Sequence, residues 1–277
     1  MADNNFLMTI PQNNRNLYFE KNNQNISFVA QNPFNQTQSN DYCTFSYKSV
    51  DKPKNIFSFK QIQENYENYL LEKKFKSLAN KKEIQNMISA NPTIKNILIN
   101  NGIPKRICIA NLNNYYKDHF VPTMKIAEKI SKELNLSDND IKKVKEAALF
   151  HDFGKVFIPE EILNKKGELT LNEEKIMHQH EILGYELLKT TNMDKDVLQI
   201  IKNHHTYKPK LVNDKNVLLT QIVSVADIFT ALSTNERPYK KAMNCEQTFE
   251  ILEKMCEENK IDKKIVDALK TSIKESN

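Results

Sequence analysis

The segment 148–170, ALFHDFGKVFIPEEILNKKGELT, contains an adjacent histidine and aspartate, His151 and Asp152, with Lys155 a few residues later. Imidazole nitrogen and carboxylate oxygen both bind borderline divalent metals. A lysine beside such a pair can neutralise charge on a phosphoryl group. The apolar run before His151 predicts a buried helix end, where two ionisable groups must be paired or metal-bound. These residues therefore indicate a metal site that cleaves phosphate esters.

Most of the other histidines are placed where they could join this site. The candidate ligands among the six histidines of the chain are His119, His151, His180, His204 and His205. Pro122 follows His119 within one helical pattern, and a proline there bends the helix in a way that can aim the imidazole. The tandem pair ends a helix, so both of its rings can reach one site. His178 lies on a different face from His180 and is left out.

Asp227 stands in a strongly apolar helical segment, VSVADIFTAL. A buried carboxylate is costly unless a cation compensates it, and neutral histidines supply no charge. Five histidines and two aspartates exceed what one ion accepts from protein. We therefore expect two divalent transition-metal ions that share a carboxylate, with Fe or Mn first and Ni or Zn as alternatives.

Two such ions would indicate hydrolysis of a phosphate ester. Ions about 3.5 to 4 Å apart lower the pKa of a bound water toward about 7 and clamp phosphate oxygens. The expected chemistry is attack of this metal-activated hydroxide on phosphorus, in line with the leaving oxygen. Asp152 and Lys155 are the candidate catalytic residues.

The elements that position these residues are predicted to be helices, because glycine is rare and apolar residues recur with a 3.6-residue period. Ser137 is a predicted N-cap, and Thr170 with Glu173 predicts a capping box. Gly184, one turn after His180, costs a helix about 1 kcal/mol relative to alanine and indicates close approach of another backbone. The predicted helices span residues 58–79, 82–90, 92–101, 111–134, 137–152, 170–188, 194–205, 215–233, 245–258 and 262–274.

The chain divides by composition into three predicted parts. Residues 1–55 are rich in Asn and Gln and are predicted to be a disordered tail. Scattered aromatic residues such as Phe28 leave open that this tail docks on a protein partner. Residues 56–110 are predicted to form accessory helices, and residues 111–277 the catalytic domain.

Net charge and cysteine usage limit which partners and which cellular compartment we expect for the protein. The net charge is +5, but acidic and basic residues are interspersed, which excludes an obvious surface for nucleic-acid polymers. The four cysteines are far apart and form neither a zinc knuckle nor a disulfide framework. The N-terminus lacks a signal-peptide pattern, and the apolar stretch 217–232 is short and contains Asp227. We expect a cytoplasmic protein that does not enter a membrane.

Several motifs, in this order, resemble the HD superfamily of metal-dependent phosphohydrolases and its HD-GYP branch of cyclic di-GMP phosphodiesterases. They are HDFGK with VFIPEEILNKKGELT, then EKIMHQHEILGYELL, the tandem HH, and VADIFTALSTNERPYKKAM. The resemblance covers residues 111–257 and implies an all-α, HD-domain helical bundle. It implies that one metal is held by His119, His151, Asp152 and Asp227. It also implies that Asp152 bridges to a second metal held by His180, His204 and His205.

The resemblance also assigns substrate contacts. It implies that Lys155 lies near the attacked phosphate and that Arg237 and Lys240 contact substrate phosphates. Some members carry a third-ion glutamate where Tyr115 stands, so two metals are expected here.

The chain departs from the family in one loop. Thr206 replaces a glutamate after the tandem histidines, and Tyr207 and Pro209 are the only remnants of the Gly-Tyr-Pro signature. This GYP loop is therefore predicted to be degenerate, and the choice of substrate stays open.

Three functions remain open on sequence. The leading one is hydrolysis of a nucleotide phosphoester, with cyclic di-GMP as a candidate. The second is an altered HD-type regulatory or nucleotide-binding module, which the changed loop and the N-terminal tail favour. The third is an HD hydrolase of mononucleotides or alarmones. The sequence leaves the oligomeric state open.

Overall fold

A computed structural model describes residues 7–9, 16–22, 25–31, 59–207, 215–233 and 243–274, and the structural statements below concern these residues. The chain divides into two compact units, Met1–Glu64 and Asn65–Asn277. All seven predicted metal ligands belong to the second unit.

Three short strands are described in the first unit. Strands β1 (Leu7–Thr9), β2 (Asn16–Asn22) and β3 (Asn25–Gln31) pair antiparallel in the order β1-β2-β3. For these residues the structure differs from the predicted disordered tail. Aromatic and β-branched residues in β2 and β3 favour extended backbone, and pairing satisfies its N–H and C=O groups. The rest of 1–55 lies outside the described residues.

From Phe59 onward the elements of the described residues are helices, which confirms the predicted all-α helical bundle for that part of the chain, and the bounds of the predicted helices are close to those observed. The α-helices are α1 (Phe59–Leu78), α2 (Lys81–Ala90), α3 (Pro92–Asn100), α4 (Ala110–Tyr115), α5 (Val121–Glu133), α6 (Asp138–Phe150), α7 (Glu160–Leu163), α8 (Leu171–Leu188), α9 (Lys195–Asn203), α10 (Lys215–Ser233), α11 (Cys245–Glu257) and α12 (Lys263–Lys274). A 3-10 helix, Phe153–Phe157, follows α6. The 3-10 helix and α7 were not predicted.

Both predicted helix starts are confirmed by side-chain caps. The Ser137 hydroxyl accepts a hydrogen bond from the Asp140 N–H at 3.2 Å. Thr170 and Glu173 form the complete capping box, because each side chain accepts from the backbone N–H of the other. These caps satisfy N–H groups at the starts of α6 and α8, two of the helices that position candidate ligands.

His119 lies in a π-helical turn, Tyr116–Phe120, between α4 and α5. Pro122 has no N–H to donate to the carbonyl four residues before it. The preceding N–H, of Val121, instead bonds the carbonyl of Tyr116, five residues back. The proline is thus accommodated by a widened turn that contains His119, a form of irregularity that often marks functional sites.

Phe75 of α1 ties the accessory helix to the core of the second unit. Its ring centroid lies 4.9 to 5.7 Å from four other aromatic rings. These rings belong to Tyr116, Phe120, Phe150 and Phe153. Such pairs contribute dispersion and quadrupole attraction beyond their buried area. The cluster lies behind the candidate ligands, since the ring of Phe120 is 5.9 Å from the rings of both His119 and His151.

Helix α10 is the central helix of the bundle and packs on α5, α6, α9, α11 and α12. Its length and mean hydropathy of 1.4 would suit a membrane span, but 61% of that window is buried inside the protein. Among the described residues it is the one helix that passes this test. Its apolar character is explained by its place in the core, where it carries Asp227.

Gly154 and Gly184 allow α8 to approach the chain that follows α6. A Cβ atom on Gly154 would lie 2.0 Å from the His180 carbonyl oxygen and 2.6 Å from the Gly184 nitrogen. A Cβ on Gly184 would lie 3.1 Å from the Gly154 nitrogen. The close approach predicted from the mid-helix glycine is therefore confirmed. It brings His180 next to the His151 and Asp152 segment.

We expect Gly154→Ala to lower the free energy of unfolding by about 3 kcal/mol or more, because the new methyl group meets rigid backbone. Gly102→Ala is the matched control. Its Cβ would have no neighbour within 4 Å, but its φ is +64°, so its cost should be about 1 to 2 kcal/mol. Denaturant unfolding of both variants checks this, and equal losses would contradict the proposed backbone contact.

Candidate metal centre

The structure brings all seven predicted metal ligands together in one buried cluster. The residues are His119, His151, Asp152, His180, His204, His205 and Asp227. They come from the π turn, the end of α6, α8, the end of α9 and α10. Six of them are nearly inaccessible to solvent, and His205 is half-buried. Residues separated by more than a hundred positions thus meet at one point.

One group of ligands surrounds one oxygen each of Asp152 and Asp227. The His119 Nε2 atom lies 3.0 Å from Asp227 Oδ1 and 3.4 Å from Asp152 Oδ2. The His151 Nε2 atom lies 3.1 Å from Asp152 Oδ2 and 3.6 Å from Asp227 Oδ1. We call these four residues the first ligand group. Their nitrogen and oxygen atoms converge as they would around a single ion.

The other oxygen of Asp152 faces a second set of imidazoles. Asp152 Oδ1 lies 3.2 Å from His180 Nε2, which in turn lies 3.2 Å from His204 Nε2. Together with His205 these residues place four ligand atoms within 4.8 Å of one another. We call Asp152, His180, His204 and His205 the second ligand group. Because the two oxygens of Asp152 face different groups, this carboxylate has the geometry of a bridge.

His204 is closer to the first ligand group than the sequence indicated. Its ring centroid lies 5.1 Å from that of His151. One ligand atom from each of His151, His204 and Asp227 also falls within 4.8 Å. The two groups are therefore adjacent parts of one site.

Three of the imidazoles are fixed by their own helices. The Nδ1 atoms of His151, His180 and His204 lie 2.7, 2.5 and 2.7 Å from the carbonyl oxygen three residues earlier. A carbonyl only accepts, so Nδ1 must carry the proton in each ring. In the neutral form of each ring the lone pair then lies on Nε2, which points into the cluster. Such outer contacts fix both the tautomer and the orientation of a metal-binding histidine.

The electrostatics of the cluster favour a bound cation. Burial opposes ionisation of Asp152 and Asp227, but His119 and His151 hold the pKa of both carboxyl groups well below the ordinary range, and Lys155 adds to this effect at Asp152. Burial lowers the pKa of His180 to about 3 and that of His204 well below its usual value. Burial also disfavours charge on His151, yet the two carboxylates raise its pKa to about 10. The carboxylates thus draw positive charge toward them, while His180 and His204 stay neutral.

Several buried polar atoms of the cluster fit a divalent ion. The Nε2 atoms of His119 and His151 and the Oδ1 atom of Asp152 are buried and make no well-aligned hydrogen bond, although each lies 3.0 to 3.2 Å from another atom of the cluster. Buried polar atoms without a partner are rare, because each costs free energy. All three belong to ligand types that borderline divalent metals accept, and no sulfur atom is among them. The residues present therefore fit the ion that the sequence predicted.

Lys155 forms an ion pair with the carboxylate of Asp152. Its Nζ atom lies 2.6 Å from Asp152 Oδ2 and 5.9 Å from the centre of the Tyr115 ring. Its backbone carbonyl accepts a hydrogen bond from Asn111 Nδ2 at 2.8 Å, and this amide also donates to the carbonyl of Ile158. Asn111 is buried and holds the loop that carries Lys155. No motif or periodicity in the sequence marks it for that role.

The remaining predicted substrate contacts lie outside the described residues. Arg237 and Lys240 fall within 234–242, and the shortened loop predicted after Tyr207 falls within 208–214. The two contacts and the degenerate GYP loop stay predictions. Tyr115, which stands at the expected third-ion position, donates a hydrogen bond to Asn164 Oδ1 at 3.3 Å.

The chain belongs to the HD domain family, because the model of that family matches residues 106–265, more than half of the chain. Among curated proteins it is 35% identical over 125 residues to "Cyclic di-GMP phosphodiesterase response regulator RpfG" of Xanthomonas campestris pv. campestris, covering 42% of this chain and 33% of that protein. It is 35% identical over 130 residues to "3'3'-cGAMP-specific phosphodiesterase 3" of Vibrio cholerae, covering 45% and 28%.

A third relative, "Cyclic di-GMP phosphodiesterase" of Thermotoga maritima, is 32% identical over 140 residues, which cover 47% of this chain and 37% of that protein. The matched segments span about a third of the length of these relatives. The resemblance to the HD superfamily and its HD-GYP branch is thus confirmed.

We expect removal of divalent metal to destabilise the protein, because two buried carboxylates lose their compensating charge. A ligand that binds only the folded state at about 100 times its Kd stabilises it by about 2.7 kcal/mol. Thermal unfolding with and without a chelator should show a lower midpoint without metal. In Asp227→Asn this difference should shrink. An unchanged midpoint in the natural sequence would count against metal binding.

Proposed function

We propose that this chain is a metal-dependent phosphodiesterase that hydrolyses a phosphoester bond of a nucleotide, with cyclic di-GMP as the first candidate substrate. The observation that carries the proposal is the bridging geometry of Asp152, whose two oxygens face two separate sets of imidazoles. A structural helix end has no need of such an arrangement. The three relatives are named as cyclic-dinucleotide phosphodiesterases, which supports the same class of substrate.

Each ligand group would hold one divalent ion in this proposal. Such ions supply a water of lowered pKa and a clamp for phosphate oxygens. His119, His151 and Asp227 complete the first ligand group, and the second ligand group takes the other oxygen of Asp152. Fe or Mn suits this nitrogen and oxygen set, with Ni or Zn as alternatives.

Lys155 would bind and orient the substrate in this proposal. Its ammonium group lies on the side of Asp152 away from His180, with a side chain that is 13% exposed. A phosphate that approaches the ions from solvent would meet this charge and be neutralised by it. Arg237 and Lys240 remain proposed contacts to the substrate phosphates. We also propose that residues 111–277 form the catalytic domain and 56–110 its accessory helices, and a cytoplasmic location stays a prediction.

Substitution of one ligand, compared with a nearby histidine that is not a ligand, separates loss of metal from other effects of removing an imidazole. We expect His180→Ala to lose about one ion per chain and to lower the rate of phosphodiester hydrolysis by about 100-fold or more, because the second ligand group loses a ligand. His178→Ala is the matched control, since His178 is on the same helix but its side chain is 63% exposed and pairs with Glu181. Elemental analysis and turnover should be measured on both proteins.

The control should keep wild-type metal content and activity. If His178→Ala and His180→Ala lost metal equally, the assignment of His180 as a ligand would be wrong. If His180→Ala kept both ions, the second ligand group would not hold one.

A substrate panel tests the reaction itself. We expect protein loaded with Mn or Fe to hydrolyse cyclic di-GMP, and we would compare 3'3'-cGAMP, the linear dinucleotide, a mononucleotide and a generic phosphodiester under reducing conditions. Activity on mononucleotides alone would favour the HD hydrolase of small nucleotides. Two stably bound ions with no turnover of any ester would favour a regulatory or nucleotide-binding module.

A further inference from the structure

Ser224 links the helix that carries Asp227 to the end of the helix that carries the tandem histidines. It lies in α10 one turn before Asp227 and is 3% exposed. Its hydroxyl donates to the backbone carbonyl of His204 and also lies 3.0 Å from the carbonyl of Thr220 in its own helix. A hydroxyl has one proton to donate. When that proton goes to His204, the bond joins α10 to the end of α9.

The carbonyl of His204 lies just past the end of α9 at Asn203, and Ser224 is a donor for it. The last carbonyl groups of a helix have no partner within that helix. His204 is fully buried, so water is not at hand to satisfy its carbonyl. An unpaired buried carbonyl would be costly. Ser224 supplies the donor from a neighbouring helix.

His204 is therefore fixed at two points. Its Nδ1 atom bonds the carbonyl of Ile201, and its own carbonyl accepts from Ser224. This carbonyl belongs to the peptide bond that joins His204 to His205. The hydroxyl thus holds the corner of the chain that presents both histidines to the cluster.

The hydrogen bond of Ser224 also links the two ligand groups, because Ser224 and Asp227 lie in the same helix. Asp227, three residues later, reaches His119 and His151 in the first ligand group. One helix therefore carries a ligand of the first group and also holds the backbone of two ligands of the second. The distance between the two groups depends on this helix.

We propose that Ser224 is a positioning residue for the second ligand group. This inference rests on the proposed binding of two ions. Without the hydroxyl, every ligand remains, but the corner at His204 and His205 can move. The second ion should then bind more weakly, while the first ion keeps all its ligands.

Ser224→Ala tests this inference, with Ser233→Ala as its matched control. The Ser233 hydroxyl lies in the same helix and bonds the carbonyl of Phe229, 2.7 Å away in that helix. Both changes remove one hydroxyl from α10. Only Ser224→Ala removes a bond to α9.

Metal-stripped full-length proteins would be titrated with Co²⁺, whose visible absorption reports the geometry of each occupied site. We expect two binding steps in the natural sequence and in Ser233→Ala. In Ser224→Ala the second step should weaken about 10- to 100-fold, as for other outer contacts of metal ligands. Its spectrum should also change, with the first step unaltered.

Two identical steps in Ser224→Ala and the natural sequence would overturn the inference. So would an equal loss of both steps together with a lower unfolding midpoint, which would show a general structural role. If the natural sequence itself bound fewer than two ions, the proposed two-ion site would fail first. The two failures are thus distinguished by the titration of the unsubstituted protein.

Discussion

Two carboxylates buried in one apolar centre are the constraint on which the rest of this structure depends. Asp152 and Asp227 are 1% and 7% exposed, in a part of the protein where a charge is costly unless it is compensated. His119 and His151 favour the ionised form of both carboxylates and Lys155 favours that of Asp152, whereas burial holds His180 and His204 neutral. A pair of divalent ions would satisfy both carboxylates and the neutral nitrogens at once. The helices are arranged so that imidazole nitrogens surround these two carboxylates.

The residues around the two carboxylates are held rigidly, because backbone atoms fix the ligands. Backbone atoms cannot rotate away as a side chain can. Nδ1 of three histidines bonds a carbonyl in the same helix. Gly154 and Gly184 let two backbone segments touch, so that the first and second ligand groups share Asp152. The accessory helix α1 adds Phe75 to the aromatic rings behind the site. Ligands held this way cost little reorganisation when an ion binds.

The side of the cluster that faces solvent is organised differently from its interior. His205 is the least buried ligand, and Lys155 lies with its ammonium beside Asp152. Its loop is held by the buried amide of Asn111. In the proposed function the interior would fix the ions, and Lys155 would present a cation to an anionic substrate. The loops around the site would then decide which substrate is accepted.

The sequence by itself determined the long helices, the caps of α6 and α8 and the set of candidate ligands. A 3.6-residue period, a capping box and a carboxylate in an apolar helix are local signals, readable without neighbours in space. Membership of the HD family followed from the order of the motifs. The sequence did not indicate the short strands at the N-terminus, whose pairing is a contact between segments.

Tertiary structure decided the rest. Only packing shows that the two oxygens of Asp152 face different groups, that His204 lies between them, and that Asn111 and Ser224 support the site. These roles come from hydrogen bonds between residues far apart in the chain, and no local pattern marks them. Ligand type is a property of one residue, whereas a bridging geometry depends on the relative positions of several helices.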